Sequence, residues 1–167
     1  MPKAKVTHER LMDALSYDAS TSIFTWLEAS NGRIKVGQMA GTPNGNVHLQ
    51  IKIDRKKYWA HRLAWFYVTG KWPVADIDHR DLDGMNNRFS NLREATRSQN
   101  CCNQTARKNN TSGYKGVCWH KASGKWTAAT MIDGKSAYLG VFDTPEAAHA
   151  AYRATVEKHH GEFARAA

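Results

Sequence analysis

The chain contains 167 residues, with 24 Lys and Arg against 15 Asp and Glu, which gives a formal net charge of +9 at pH 7. A chain of this length fits one ordinary domain or two small ones, and its positive field attracts polyanions, above all nucleic acids. The sequence has neither a run of about 18 apolar residues nor a charged-then-apolar leader, so we expect a cytoplasmic protein with no membrane association or secretion.

Residues 1–73 are predicted to form a β-rich N-terminal segment that acts as a scaffold and contacts DNA. Thr7 is a suitable N-cap for a short helix over residues 7–16. Residues 23–27 are rich in β-forming side chains. Apolar and polar residues then alternate over 47–53, as they do in a half-buried strand.

A basic turn at residues 54–57 and a helix over 62–68 complete this segment. Arg55 in the turn is a candidate DNA contact. A plain scaffold role fits Arg55, or His48 on the preceding strand, equally well. His61, in the run Ala-His-Arg-Leu, is expected to be structural rather than part of an active site.

The stretch from Asp78 to Asn100 carries the residues that suggest catalysis. Hydrolysis of a phosphodiester requires a metal, a base that activates water and a group that holds the base in place. Asp78 and Asn100 offer the hard oxygen ligands that Mg²⁺ or Mn²⁺ prefers, and His79 can act as the base. A metal-dependent nuclease is therefore the first hypothesis.

Residues 77–100, IDHRDLDGMNNRFSNLREATRSQN, resemble the HNH (His-Me finger) motif of phage homing endonucleases. In that motif an Asp-His pair is followed by Asn-Asn-Arg, Asn-Leu-Arg and a final Asn, and the spacing agrees as well. The resemblance implies a small ββα-metal nuclease core over residues 74–107, with strands over 74–78 and 88–93 and a helix over about 96–107.

The same resemblance implies a role for each motif residue. Asp78 and Asn100 would bind one divalent ion, and His79 would accept a proton from the attacking water. Asn91 would hold His79 in its orientation, and Asn87 is a weaker candidate for a supporting role nearby.

Residues 108–113 form a predicted polar linker, and Arg107 and Lys108 beside it are candidate phosphate contacts. An ordinary solvated linker fits these residues equally well. The cysteines form no C-x-x-C pair, so Cys101 and Cys102 are expected to be free thiols.

Residues 114–167 are predicted to form a three-stranded antiparallel sheet packed on one helix. Ser-Gly and Asp-Gly pairs separate the three β-type runs and are typical of hairpin turns. Asp143 or Thr144 can cap the helix that follows, and Pro145 suits its first turn.

This module resembles the plant ethylene-response-factor (APETALA-type) DNA-binding domain. The resemblance rests on four short motifs: YKGV at 114–117, GKW at 124–126, LGVF at 139–142 and EAAHAAY at 146–152. In that family the sheet lies in the major groove, which implies that Lys115, Trp119, Lys125 and Trp126 face double-stranded DNA. A core position fits Trp126 at least as well as a DNA contact.

The sequence therefore predicts an α+β protein made of a β-rich segment, an HNH core, a linker and a DNA-binding module. The function it predicts is that of a homing-type, metal-dependent endonuclease that works as a monomer and nicks one strand. The alternative is a non-catalytic DNA-binding regulator built on a degenerate HNH scaffold. RNA as the target fits the charge, but the chain has no stacking-platform motif to support it.

Overall fold

The computed structural model describes residues 5–29, 32–45, 47–106 and 109–165. The chain divides into two compact units, residues 1–94 and residues 95–167. Within the described residues, each unit combines helices with small antiparallel sheets. This mixture agrees with the predicted α+β class.

The first unit opens with a short helix that turns directly into a hairpin. Helix α1 spans His8–Ala14, and its N-cap Thr7 accepts a hydrogen bond from the Arg10 amide, as predicted. We predicted from the sequence that this helix reaches residue 16. In the structure the backbone becomes extended at Leu15, which begins strand β1, Leu15–Tyr17. Strand β1 pairs antiparallel with β2, Phe24–Trp26.

A three-stranded antiparallel sheet follows, formed by β3 (Thr42–Asn44), β4 (His48–Ile53) and β5 (Lys56–Trp59) with β4 in the centre. Asp54 and Arg55 form the turn between β4 and β5, and both have positive φ angles, 47° and 66°. Two consecutive residues of this kind are typical of a tight two-residue hairpin turn.

Helix α2, Ala60–Thr69, begins directly after β5 and ends at Gly70, whose φ of 68° is left-handed. Glycine adopts this conformation without strain, so Gly70 ends the helix cleanly. The helix buries one apolar face against the sheets. The core residues of the first unit include Leu11, Leu15, Phe24, Ile51, Ile53, Leu63, Phe66 and Ile77.

Two further strands close the first unit and carry the predicted nuclease motif. Strand β6 spans Asp76–His79 and pairs with β7, Leu92–Ala95. The sequence predicted a strand over 88–93, but a short 3₁₀ helix at Phe89–Asn91 precedes β7. The boundary between the two units lies after Glu94, within β7.

The second unit begins with helix α3, Arg97–Asn103. Thr96 and Gln99 cap its N-terminus with a reciprocal capping box. Its sheet consists of β8 (Val117–His120), β9 (Lys125–Ile132) and β10 (Lys135–Phe142), with β9 in the centre. This antiparallel sheet was predicted.

Helix α4, Pro145–His160, packs on that sheet, and Thr144 is its N-cap, as predicted. The core of the unit lies between them and includes Val117, Ala128, Ala148, Tyr152 and Val156. Gly116 lies directly against the Tyr152 ring, where a side chain would have no room. None of the helices in the described ranges is long and apolar enough to cross a membrane.

Candidate active site

Strand β6 carries Asp78 and His79 side by side, and both side chains are buried. Successive side chains of a strand point to opposite faces, so the carboxylate and the imidazole face different surroundings. Asp78 accepts a hydrogen bond from Arg93 Nε on β7, with 2.9 Å between the atoms. The two side chains are only 4% and 7% exposed, so this is a buried ion pair.

His79 is held by Asn87, a residue of the loop that joins β6 to the 3₁₀ helix. Asn87 Oδ1 lies 3.2 Å from His79 Nε2, and Asn87 Nδ2 donates to the Met85 carbonyl. The Met85 carbonyl can only accept, so it fixes which way the amide points. Oδ1 is then an acceptor, which places the imidazole proton on Nε2 and leaves the lone pair on Nδ1 of His79.

The surroundings of His79 favour its neutral form. Burial lowers the pKa of His79 below its usual value of 6.5, and the hydrogen bond that His79 donates to Asn87 offsets part of that shift. A histidine whose pKa lies below 6.5 is mostly neutral at pH 7 and can accept a proton. These are the properties that a general base requires.

Two more histidines surround His79 in the first unit. His48 comes from β4 and His61 from α2, and their ring centroids lie 5.6 and 5.2 Å from that of His79. One nitrogen from each of the three rings lies within 4.8 Å of the others. We call this group the histidine cluster.

His61 is the least satisfied member of the cluster. It is 9% exposed, and its Nδ1 has no hydrogen-bond partner among the described residues. Burial, together with the neighbouring His79 and His48, lowers the pKa of His61 to about 3. A buried polar nitrogen without a partner is uncommon and needs an explanation. We expected His61 to be only structural, so its position against the His79 ring was not predicted.

Asn91 organises the loop that follows His79. Its side chain accepts from the Asp81 amide and donates to Asp81 Oδ1 and to the Asn86 carbonyl. Its carbonyl accepts from the Arg80 amide at 2.9 Å. The hydrogen bonds of Asn91 therefore close the loop that carries Asn87, whereas Asn87 contacts the His79 ring directly. That Asn91 orients His79 remains a prediction, and such an effect would pass through the loop.

Asn100 lies on α3 in the second unit, where its amide donates to the Thr96 carbonyl. Its assignment as a metal ligand remains a prediction. Arg107 and Lys108, the predicted phosphate contacts, lie outside the described residues.

Arg55 is exposed at the turn between β4 and β5. Arg33 and Lys52 line the same surface cavity of the first unit. Glu28 and Asp54 line this cavity as well, so it carries charges of both signs, and the DNA contact of Arg55 remains a prediction.

The four DNA contacts predicted within residues 114–167 occupy different surroundings. Trp119 is 47% exposed on β8 and packs edge-on against Trp126, which also contacts the core. Lys125 is exposed and pairs with Asp143 at 2.8 Å.

Lys115, in contrast, points into its own unit. Its ammonium group donates to the carbonyls of Cys102, Gln104 and Arg165, and burial lowers its pKa. Three acceptors use all three of its protons. Lys115 therefore joins the end of α3 to the C-terminal end of the unit.

Residues 58–101 match the HNH endonuclease family. Protein 3.8 of Escherichia phage T7 is 35% identical over 106 residues, which cover 63% of this chain and 87% of that relative. The chain belongs to the family of Protein 3.8, and it carries an HNH endonuclease domain. No solved structure matches it. The HNH match includes His61, His79 and Asn87, whereas His48 precedes it.

The sequence did not indicate the histidine cluster. Its members come from a strand, a helix and a second strand, at intervals that follow no known metal-binding spacing. Only the packing of α2 against the sheets brings them together.

Proposed function

We propose that this protein is a metal-dependent DNA endonuclease in which His79 activates the attacking water. The main support is the neutral, buried imidazole of His79, whose proton is held on Nε2 by an amide of fixed orientation. In this arrangement His79 Nδ1 would take the proton from water as the oxygen attacks the phosphorus. Asn87 then stabilises the imidazolium that forms, because its Oδ1 continues to accept from Nε2.

Asp78 and Asn100 are the proposed ligands of one Mg²⁺ or Mn²⁺ ion. Both offer hard oxygen donors, which suits these ions better than Zn²⁺. The guanidinium of Arg93 already balances the charge of the Asp78 carboxylate, which a bound ion would share. When bound, such an ion offsets the charge that develops on the leaving oxygen.

Arg93 has a second consequence for the site. Its guanidinium holds the Asp78 carboxylate in one orientation, at a buried position where a mobile carboxylate would be a poor ligand. We therefore propose that Arg93 positions Asp78.

Binding of double-stranded DNA is assigned to the second unit, where the resemblance to ethylene-response-factor domains supports it. Trp119 offers an exposed aromatic surface. Lys125 would contact phosphate, because its exposed ion pair with Asp143 is worth little and can be exchanged for a phosphate contact. Lys115 is left out of this surface, since its protons are used within the unit. A homing-type role, in which a monomer nicks one strand, completes the proposal.

The test is cleavage of a supercoiled plasmid, with a second plasmid that carries the DNA flanking the coding sequence. We expect product with Mg²⁺ or Mn²⁺ and none with EDTA. Open-circular product indicates nicking, and linear product indicates cutting of both strands. Cleavage that persists in EDTA would remove the metal from the mechanism.

His79→Ala should abolish cleavage while the affinity for DNA stays near that of the wild type. His159→Ala is the matched control, because His159 is an exposed histidine of the second unit. Wild-type rates for His79→Ala would refute the assignment of the base. Plasmids that are bound by the wild type but never cut would instead favour the non-catalytic regulator.

A further inference from the structure

We propose that His48, His61 and His79 form a binding site for one Zn²⁺ ion or a chemically similar transition metal. The site is separate from the oxygen donors assigned to Mg²⁺. Zinc in this site would hold the nitrogen that accepts the proton during cleavage, so the metal would inhibit the nuclease. The inhibition rests on the proposed function, whereas zinc binding does not.

The geometry is close to that of a metal site. In tetrahedral zinc sites with bonds of about 2.0–2.1 Å, ligand nitrogens lie about 3.3 Å apart. The three nitrogens of the cluster already lie within 4.8 Å of one another. His48 is only half-buried, so its ring has the most freedom to close the remaining distance. A water molecule would supply the fourth ligand, as it does in zinc sites with three histidines.

The partners of the rings also match those of metal-bound histidines. Such a histidine usually gives its second N–H to a carbonyl or carboxylate, which fixes the ring and its tautomer. His48 Nδ1 lies 3.3 Å from the Gly84 carbonyl, and His79 Nε2 lies 3.2 Å from Asn87 Oδ1. These two bonds leave His48 Nε2 and His79 Nδ1 as the nitrogens with lone pairs.

His61 supplies the second, independent observation. Its Nδ1 is buried and has no partner within the described part of the chain. The other two rings lie 5.2 Å from it by centroid distance. A metal ion in the cluster would satisfy this nitrogen.

The donor set selects the class of metal. Imidazole nitrogens suit Zn²⁺, Cu²⁺ and Ni²⁺, whereas Mg²⁺ requires oxygen ligands and gives up its water reluctantly. The cluster should therefore ignore Mg²⁺ at concentrations that support cleavage.

Binding is tested by titrating the purified protein with Co²⁺, a coloured substitute for Zn²⁺, followed by displacement with Zn²⁺. We expect one equivalent of bound metal, with visible absorption bands of tetrahedral cobalt. Strong near-ultraviolet absorption from thiolate-bound cobalt would place the metal on Cys101, Cys102 or Cys118 and overturn the proposal. So would the absence of stoichiometric binding.

His48→Gln and His61→Gln should each weaken binding by at least about tenfold, since loss of an outer partner alone costs about 10–100-fold. His159→Gln is the control and should bind like the wild type. His61 is buried, so its variant can fail to fold. In that case His48→Gln still tests the site, and so does the rise in Tm of the wild type on adding Zn²⁺. Equal binding by all four proteins would overturn the site.

Inhibition is measured as the ratio of cleavage rates with and without one equivalent of Zn²⁺, in the presence of excess Mg²⁺, within each variant. We expect a fall in the wild type and in His159→Gln, reversal by a zinc chelator, and little change in His48→Gln. Zinc that binds without slowing cleavage would overturn the inhibition. If no protein cuts DNA with Mg²⁺ alone, the proposed function fails, and the Co²⁺ titration still decides the metal site.

Discussion

The substitution Asn87→Ala tests most directly how His79 is held. Asn87 is 1% exposed, and its side chain bonds to His79 Nε2 at 3.2 Å and to the Met85 carbonyl at 3.1 Å. Removing the amide leaves both groups without this partner, at a cost of about 1–3 kcal/mol each. The variant should therefore lose about 2–6 kcal/mol of unfolding free energy, measured by urea denaturation.

The effect on catalysis should be separable from the loss of stability. If the hydrogen bond contributes about 1–2 kcal/mol to the orientation and tautomer of His79, its loss slows the chemical step about 5- to 30-fold. Single-turnover cleavage, run well below the Tm of the variant, measures this step. Asn86→Ala is the matched control, because Asn86 is the preceding residue of the same loop and bonds to Asp81 rather than to His79.

The pH profile distinguishes positioning of the base from a general loosening of the fold. The hydrogen bond that His79 donates to Asn87 raises the pKa of His79. Its removal should lower that pKa, so the fall in rate on the acid side should move to lower pH. A merely softened structure would not move it in that direction. A folded Asn87→Ala protein with the wild-type rate and the wild-type acid limb would refute the reasoning.

Three further predictions concern the two units. Burial lowers the pKa of His61 to about 3 from 6.5, so between these values the unfolded chain binds the extra proton and stability falls as the pH drops. We expect a loss of about 2 kcal/mol between pH 7 and pH 5 in urea unfolding, and a flatter profile for His61→Gln. A Cβ at Gly84 would clash with the Val47 carbonyl and the His48 ring, so Gly84→Ala should lower the free energy of unfolding by about 1–3 kcal/mol or more and lower the Tm. DNA affinity should fall steeply with salt, and Lys125→Ala should reduce the slope of log K against log salt by about 1, whereas Lys115→Ala should lower stability instead.

Features governed by neighbouring residues were predicted well from the sequence. Thr7 and Thr144 both cap helices, as predicted, and each accepts from the amide three residues further on. The hairpin over β9 and β10 has its turn at the Asp-Gly pair, where Asp133 and Gly134 both have positive φ angles. These capping and turn signals act over two to four residues, so they can be recognised from the local sequence alone.

Features governed by distant contacts were not predicted. The helix expected over 96–107 ends at Asn103, where Lys115 donates to the carbonyls of Cys102 and Gln104. The sequence of the helix itself does not indicate this contact. For the same reason Lys115 was expected on the DNA surface, since its charge is visible in the sequence and its acceptors are not.

The assignment of Asn91 illustrates a third case, in which the motif was informative but the contact was not. The motif predicted that a carboxamide near His79 would hold it. Asn91 hydrogen-bonds to the loop. Asn87, the weaker candidate from the sequence, hydrogen-bonds to the imidazole. Both lie in the same turn-rich stretch, and only the direction of the loop decides which one reaches the ring.

The alternation of strand β6 connects the proposed catalytic ion with the proposed inhibitory one. Asp78 and His79 are neighbours, and the pleat directs the carboxylate toward Arg93 on one face and the imidazole toward His48 and His61 on the other. Two adjacent residues therefore place an oxygen donor on one face of the strand and a nitrogen donor on the other. Each face favours a different class of metal. Exchanging the two residues, Asp78→His with His79→Asp, keeps the composition but reverses both faces. The exchanged protein should lose Mg²⁺-dependent cleavage and the tetrahedral cobalt absorption together, whereas retention of either would show that the strand does not sort the metals in this way.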